Sequence, residues 1–434
     1  MADAPLNSDI VIAGAGIAGA GFALSVKRSV GNLFSVTLCD TGLTRELAAC
    51  LNPGPRSSMR AIAVAPDSKQ TLEDLGIWAD IAASAQPIHT MAITDSRRDA
   101  LPNPVFLTFD GEAQPDGVLA HMVFIEDLRR ALLRACHSAG VRFEPFRVDQ
   151  FRDERHALTL ALSDGRSIRT RLLAAADGGR SRLRHAARIQ CFDRAYPQSA
   201  IVATLHHSES HEGRAVQHFL PAGPVALLPM RAADGSPRRT SIVWTEATRE
   251  AERLARLPEA EFLAALQDRV GRELGSLSLE DQPSAYPLHV ALARRLIAPR
   301  LALLGDAAHV VHPLAGQGLN LGLRDATALA ARVTEVGVLG LDPGSTDTLK
   351  AYERDRHFDA ATMAATTDML NRLFSNDILP IRLMRDIGLG LVDRAPRLKR
   401  RFIDGAAGLP TNAPLDRDNE LDAPVLVPLD LDRR

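Results

Sequence analysis

The residues with the clearest chemical potential are closely spaced glycines near the amino terminus. Gly14, Gly16 and Gly19 form the pattern G-x-G-x-x-G between a strand-like apolar run and a helix-like stretch. In such a unit the glycines permit a tight turn, admit a pyrophosphate to the backbone and allow close helix–strand packing. Free N–H groups of the turn, which includes Ala15, then face the anion at the helix N-terminus. The pattern predicts a dinucleotide-binding loop; a structural turn of small residues is the alternative.

The same stretch has two other interpretations, a membrane span and a secretion signal, because residues 10–26 carry no charge. The run is shorter than the ~20 apolar residues of a spanning helix, and it is rich in glycine. A secretion signal has a basic leader, whereas the charges before this run belong to Asp3 and Asp9. The four cysteines show no C-x-x-C spacing. The sequence therefore predicts a cytoplasmic protein without a disulfide framework or zinc site.

One carboxylate is placed to contact the ribose of a bound nucleotide. The next predicted strand, residues 35–39, is apolar and β-branched, and it ends at Asp40. This acid lies slightly beyond the usual ~20-residue spacing from the glycines. An acid at the end of the second strand accepts hydrogen bonds from ribose hydroxyls, and we expect Asp40 to do so.

Two later segments also place acids and glycines where predicted strands end. The first runs a buried strand into Asp177 and Gly178, and the second places Asp306 at a strand end. Gly316 and Gly318 follow just before a predicted helix. Alone, each segment can be an Asp-Gly turn or a helix cap. Their order and distances behind the first glycine loop make a shared nucleotide site the more specific interpretation.

Length and composition limit the class of protein. A chain of 434 residues exceeds one ordinary core and indicates two or more domains. With 46% hydrophobic and 24% charged residues, the composition is that of a globular protein. The net charge of −2 gives no electrostatic argument for binding nucleic acid.

Five stretches together resemble the flavin-dependent aromatic hydroxylases, the single-component class that includes hydroxybenzoate hydroxylase. Within that class the chain is most similar to the ubiquinone-biosynthesis hydroxylases. The stretches are RAIAVA (60–65), ADGGRSRLR (176–184), GPVALLPM (223–230), SAYPL (284–288) and GDAAHVVHPLAGQGLNLGLRDA (305–326). Their spread makes the resemblance cover most of the chain.

The resemblance implies a non-covalently bound FAD. Asp306 would contact its ribityl chain or pyrophosphate, and Arg60 would lie near the flavin, with a surface arginine as the alternative. Backbone N–H groups before the last helix would face the pyrimidine edge of the ring, where a helix N-terminus stabilises an anion by ~0.3–2 kcal/mol. The residues implied to bind FAD are Gly14, Ala15, Gly16, Gly19, Asp40, Arg60, Asp177, Asp306, Gly316, Gly318, Leu319 and Asn320.

The resemblance also implies a monooxygenase reaction on an aromatic ring. NAD(P)H, bound transiently, or another electron donor would reduce FAD; O₂ would then add, and the flavin hydroperoxide would hydroxylate a phenol. Because a phenol activates its own ring, we assign no catalytic side chain. The implied substrate is a polyprenylated phenol of ubiquinone biosynthesis, met within a quinone-biosynthesis complex or at a peripheral membrane contact. A small soluble phenol, or a non-catalytic flavin-bound scaffold subunit, are the alternatives.

The residues just before one predicted helix depart from the family pattern. Family members often carry a polar pair ending in Asn just before the helix of residues 126–139, where this chain has Phe124 and Ile125. This departure puts a side-chain contact to the flavin, and the approach of the reductant, in question.

His309 and His312 have no nearby set of ligands to complete a metal site. We therefore expect no metal, and we expect both histidines to pack beside the cofactor.

The predicted fold is α/β: a discontinuous Rossmann-like FAD-binding domain, an inserted and mainly antiparallel substrate domain, and a helical C-terminal region. The hairpin of residues 86–110 is expected to join the substrate sheet, because it alternates as that sheet does. Residues 371–401 mix basic and apolar residues, which predicts a segment that lies on anionic lipid or packs on its own domain. The predicted ranges are 1–85, 111–184 and 281–340 (FAD-binding), 86–110 and 185–280 (substrate), 341–408 (helical) and 409–434 (disordered tail).

Overall fold

Strands and helices alternate at first and then give way to a run of longer strands. The computed structural model describes residues 6–45, 56, 58–95, 105–111, 116–311 and 317–357. The strands are β1 (Leu6–Ala13), β2 (Val36–Cys39), β3 (Ala61–Val64), β4 (Gln86–Ile88), β5 (Thr90–Asp95), β6 (Val105–Asp110), β7 (Ala120–Phe124), β8 (Arg142–Glu144), β9 (Val148–Asp153), β10 (Leu158–Leu162), β11 (Ser167–Ala175), β12 (Cys191–His207), β13 (Arg214–Leu220), β14 (Gly223–Met230), β15 (Arg239–Ala247), β16 (Leu277–Leu279), β17 (Ser284–Ala293), β18 (Ile297–Ala298), β19 (Leu301–Leu303) and β20 (His309–Val310). The helices are α1 (Ile17–Val30), α2 (Pro66–Asp74), α3 (Trp78–Ile81), α4 (Ile125–Ser138), α5 (Arg182–Ala186), α6 (Thr248–Leu254), α7 (Glu259–Val270) and α8 (Gln317–Val338). Short 3₁₀ turns lie at Ala82–Ser84 and Gly305–Ala307, and residues 346–357 are also helical.

The first sheet is the nucleotide-type sheet that the glycine pattern predicts. Strands β19, β11, β1, β2 and β8 lie side by side in parallel, and β18, β10 and β9 join them in antiparallel pairs. Ile10, Val11 and Ile12 of β1 are fully buried, so the strand reads as a continuous apolar run, as parallel strands covered on both faces do. Helix α1 leaves the carboxyl end of β1 and packs against α4 and α8. Ligands of such folds bind at this edge.

The second sheet is mainly antiparallel, with the order β20, β17, β12, β15, β14, β13, β5, β6 and with β16 beside β12. Among the described strands of this sheet, only β13 and β5 pair in parallel. Ile201, Ile242 and Trp244 on one face form a buried cluster with Phe262 and Leu266 of α7. The two helices α6 and α7 therefore cover a sheet face that would otherwise expose large apolar side chains.

The pairing of β5 with β6 and β13 confirms that the predicted hairpin joins the second sheet. Two details differ from the sequence-based boundaries. Residues 86–88 form β4, which pairs with β7 in a separate three-stranded sheet of order β3, β7, β4. The second sheet also continues past residue 280, because β17 pairs along its length with β12 and carries β20 at its edge. The domain ranges themselves stay a prediction.

Several predictions concern parts of the chain outside the described residues. They are the lipid-binding segment at 371–401, the disordered tail at 409–434, and most of the helical region at 341–408, of which residues 346–357 are described as helical. Among the helices that are described, none combines the length and apolar composition needed to cross a membrane.

Candidate functional site

The glycine loop lies between β1 and α1, and each of its glycines has a distinct steric reason. Gly14 has φ of +110°, and a Cβ added there would collide with the backbone carbonyl of Ala176. A Cβ on Gly19 would collide with the carbonyl of Gly14, so this glycine permits close packing of helix on strand. A Cβ on Gly16 would meet no atom within 4 Å. Gly16 thus leaves open space at the N-terminus of α1, and this space fits a bound pyrophosphate.

Ala15 is the best-anchored residue of the loop. Its N–H donates to Asp40 Oδ2 at 2.9 Å, and its carbonyl accepts from Arg129 Nε at 2.8 Å. The other Asp40 oxygen accepts the N–H of Gly42 at 2.8 Å. Asp40 therefore braces the loop from the end of β2, and each of its oxygens keeps a second lone pair for a ribose hydroxyl. Its role as ribose ligand remains a prediction.

Asp177 follows β11 and is occupied by a local cap. One of its oxygens accepts from Ser181 Oγ at 2.5 Å, and the other accepts the N–H groups of Arg182 (2.9 Å) and Leu183 (3.3 Å). Ser181 in turn caps α5 through the N–H of Arg184 at 2.9 Å. The carboxylate thus satisfies free donors at the start of this helix. The structure places Asp177 at the predicted strand end and engages it structurally.

Asp306 lies in the 3₁₀ turn that follows β19. Its side chain is exposed, yet the surrounding protein desolvates it, so it lies in a cleft rather than on a convex surface. Desolvation in this cleft raises the pKa of the carboxyl group, against the lowering effect of His309, His289 and Arg60. Arg60 is itself exposed, and its guanidinium lies 5.2 Å from the ring centre of Tyr286. The predicted residues Asp306 and Arg60 therefore share one polar cleft at the boundary of the two sheets.

The start of α8 supplies both an open backbone and a side-chain clamp. A Cβ on Gly318 would meet nothing within 4 Å, and Leu319 is half-buried. Asn320 is buried: its Oδ1 accepts the N–H of Ala65 and its Nδ2 donates to the carbonyl of Ala63, both at 3.0 Å. The amide therefore pairs with the end of β3 as a neighbouring strand would. That the backbone at this position binds the flavin stays a prediction. Gly316 and His312 lie outside the described residues.

The structure brings the three predicted motifs together through backbone contacts. Ala176 donates its N–H to the carbonyl of Ala13 at 2.8 Å, which joins the Asp177 strand to the glycine loop. The buried Arg184 donates to the carbonyls of Ala307 at 2.8 Å and Gly179 at 2.9 Å. This arginine therefore links the Asp177 turn to the Asp306 turn.

A buried ion network behind the Asp306 turn was not predicted from the sequence. Asp325 Oδ2 accepts from the N–H of Gly305 at 2.9 Å and from His309 Nε2 at 2.6 Å. Its Oδ1 accepts from Arg356 Nε at 2.8 Å. A usable signal existed, because Asp325 sits four residues after Leu321 on the apolar stripe of α8.

Charge pairing sets the protonation of this network. Desolvation lowers the pKa of His309, but the attraction of the Asp325 carboxylate outweighs it and the net shift is upward. Desolvation likewise raises the pKa of Asp325, and His309 and Arg356 outweigh it to give a net lowering. His309 is thus held by a carboxylate; in the described part of the chain, no group of three or more His, Cys, Asp or Glu residues is arranged for a metal.

The departure at Phe124 and Ile125 has a structural use. Phe124 is buried, and its ring centre lies 4.0 Å from the guanidinium of Arg56 and 4.9 Å from that of Arg239. Ile125 opens α4 and donates its N–H to the carbonyl of Arg60 at 3.0 Å. The pair thus packs the three-stranded sheet and fixes the backbone that carries Arg60.

Comparison with a solved structure defines the class of fold. The p-nitrophenol 4-monooxygenase PnpA from Pseudomonas putida DLL-E4 aligns with a TM-score of 0.73 over 92% of this chain and 97% of that chain, at 18% identity. The shared architecture is that of hydroxybenzoate hydroxylase: a parallel FAD sheet, an antiparallel substrate sheet and C-terminal helices.

Sequence comparison then gives the family. The profile of the FAD binding domain matches residues 8–367. The ubiquinone hydroxylase UbiL of Rhodospirillum rubrum is 38% identical over 92% of this chain and 90% of its own length. The mitochondrial ubiquinone biosynthesis monooxygenase COQ6 of Mus musculus is 29% identical over 91% of this chain and 90% of its own. The chain belongs to the FAD-binding aromatic monooxygenase family, and its cofactor is FAD.

Proposed function

We propose that this protein hydroxylates the aromatic ring of a polyprenylated phenol in ubiquinone biosynthesis. The observation that carries the proposal is the near full-length similarity to two hydroxylases that are named for ubiquinone. The geometry supports it, because the glycine loop, the Asp306 turn and the start of α8 meet at one edge of the parallel sheet. A prenylated aromatic substrate follows from the relatives rather than from a feature of this chain.

The residues present fit FAD at four places. The open space at Gly16 and the N-terminus of α1 would take the pyrophosphate, and Asp40 would take the adenosine ribose. Asp306 would accept hydrogen bonds from the ribityl chain. The backbone at Gly318 and Leu319 would donate to the pyrimidine edge of the ring. When bound and reduced by NAD(P)H or another donor, FAD supplies the activation of O₂ and the transfer of one oxygen atom to the ring.

The second sheet would form the wall over the flavin. Tyr286 and His289 of β17 approach the cleft that holds Asp306 and Arg60. A closed wall excludes water, which protects a reactive oxygenating site from unproductive decay. No side chain is assigned as nucleophile or base, because the phenol supplies the electron density of its own ring.

Tail-length discrimination tests the substrate. Phenols with the same ring and with no tail, one isoprene unit or several units are compared by their kcat/KM for hydroxylation, with NAD(P)H or a chemical reductant as donor. A site that buries the tail gains ~0.8 kcal/mol per buried methylene, so efficiency should rise steeply with tail length.

Two results would redirect the proposal. Equal efficiency along the series would assign the protein to small soluble phenols. Tight FAD binding with no ring hydroxylation of any phenol, under either reductant, would assign it to the scaffold role in a quinone-biosynthesis complex. The accumulating quinone precursor in cells that lack the protein would identify the missing ring position.

A further inference from the structure

The central peptide of the glycine loop is held from both sides. The N–H of Ala15 donates to Asp40, and its carbonyl accepts from Arg129 Nε at 2.8 Å. Arg129 lies in the second turn of α4, an element far from the loop in sequence and packed against α1. Two side chains from different elements thus fix a single residue of the cofactor loop.

This contact determines where the next N–H points. A trans peptide is planar, so the carbonyl of Ala15 and the N–H of Gly16 point in opposite directions. Because Arg129 holds the carbonyl on its own side, the N–H of Gly16 is directed to the other side. Gly16 caps α1, and the space beyond its Cα is open. The N–H thus belongs to the cap residue at the start of α1, where the pyrophosphate would bind.

We propose that Arg129 is a positioning residue for the FAD pyrophosphate. A rotated peptide would turn the Ala15 carbonyl oxygen toward the phosphates, where its partial negative charge would repel them. The guanidinium prevents this rotation, and its positive charge behind the carbonyl polarises the peptide so that the N–H becomes a stronger donor. The inference rests on the FAD site and is independent of which phenol is hydroxylated.

A second arginine of α4, Arg134, supplies a matched control. Arg134 lies on the same helix and approaches Asp80 at 3.7 Å, with 44% of its side chain exposed. It is a surface cation of the same kind and has no contact with the loop among the described hydrogen bonds. Arg134→Gln removes the same charge from α4 without removing the contact to Ala15.

The experiment measures ligand affinity of the apoprotein by quenching of flavin fluorescence and by calorimetry. Arg129→Gln should weaken FAD binding by about 10- to 100-fold, as expected for loss of a hydrogen bond from a charged donor. Arg134→Gln should bind FAD as the wild type does. Arg129→Lys keeps the cation with a different reach and should fall between the wild type and Arg129→Gln.

Two fragments separate positioning from a general structural role. ADP contains the pyrophosphate, and riboflavin lacks it, so Arg129→Gln should lose affinity for ADP and keep it for riboflavin. Unchanged FAD affinity, or equal losses for ADP and riboflavin, would overturn the proposal. If Arg129→Gln does not fold, the same ADP and riboflavin comparison on Arg129→Lys decides.

Discussion

Polar residues near the ends of the parallel strands are of two kinds. Some make hydrogen bonds within the protein that stabilise the fold, and others face the cleft. The side-chain oxygens of Asp177 and Asn320 accept hydrogen bonds from the chain itself: Asp177 from the Ser181 hydroxyl and backbone N–H groups, and Asn320 from the N–H of Ala65. Asp306 is exposed to the cleft, and desolvation raises the pKa of its carboxyl group. Residues of the first kind should affect folding when they are replaced, and Asp306 should affect the cofactor.

Asp306→Ala should lose most of its FAD while its unfolding free energy without cofactor stays near that of the wild type. The physical reason is that the substitution removes a carboxylate from the cleft and leaves the backbone of the turn in place. FAD content after gel filtration and urea unfolding of the apoprotein measure the two effects. Full FAD content at unchanged affinity would show that Asp306 does not bind the cofactor.

Asp177→Ala is the matched comparison. It should lower the stability of the protein more than its affinity for FAD. Loss of the cap at α5 should lower the free energy of unfolding by ~0.5–2 kcal/mol. FAD affinity measured on the folded fraction should change less than in Asp306→Ala. A loss of FAD affinity at least as large as that in Asp306→Ala would mean that Asp177 contacts the cofactor directly.

At the scale of elements, side chains of α8 fasten the cofactor edge to three different parts of the chain. Asn320 pairs with β3, Arg324 Nε donates to Asp67 Oδ2 at 2.6 Å, and Asp325 holds the Asp306 turn. Arg356, which lies in the helical segment 346–357, donates to Asp325 of α8. Because all these contacts lie in the first half of α8, a shift of this helix would move the turn and β3 together.

Removal of the histidine from the Asp325 network should give a pH-dependent loss of stability. The folded pKa of His309 is raised, so its contribution is complete below the unfolded pKa of ~6.5 and is lost as pH rises through the folded pKa. Arg356 and Asp306 are the other charges that act on His309. The difference in unfolding free energy between wild type and His309→Gln, measured by urea titration from acid to alkaline pH, should therefore shrink as pH rises. A constant or growing difference would contradict a protonated His309.

At the scale of the whole molecule, FAD should stabilise the protein according to its occupancy. At a free concentration 100-fold above Kd, a ligand that binds only the folded state adds ~2.7 kcal/mol. The three motifs belong to one sheet, and Phe124 and Met230 pack in one cluster that joins the second sheet to the three-stranded sheet. We therefore expect a single thermal transition that moves upward with FAD in calorimetry. Two transitions, of which one stays at the same temperature when FAD is added, would show that the sheets unfold independently.

Local patterns predicted much of this architecture, and tertiary pairings account for what they missed. The glycine spacing predicted the loop between β1 and α1, and alternation predicted the β5–β6 hairpin. The contact of Arg129 with Ala15 had no local signal, because Arg129 is one of several arginines on its helix. The three-stranded sheet was missed because β4 and β7 are short. The residues of β17 were assigned to the FAD-binding domain, because the pairing of β17 with β12 depends on residues far away in sequence.

The Cβ of Ala18 lies 3.0 Å from the place of a Cβ on Gly305 and 3.3 Å from that of a Cβ on Gly322. Three positions that are far apart in sequence thus share one small volume. Mutational tolerance at these positions is therefore interdependent: a larger side chain is admitted at one only if the others stay minimal. Gly305 also has a φ of +56°, which strains any side chain there, so exchange is confined to Ala18 and Gly322. A library that varies these two positions together should therefore recover pairs, such as glycine at 18 with alanine at 322, that single substitutions at 322 do not show.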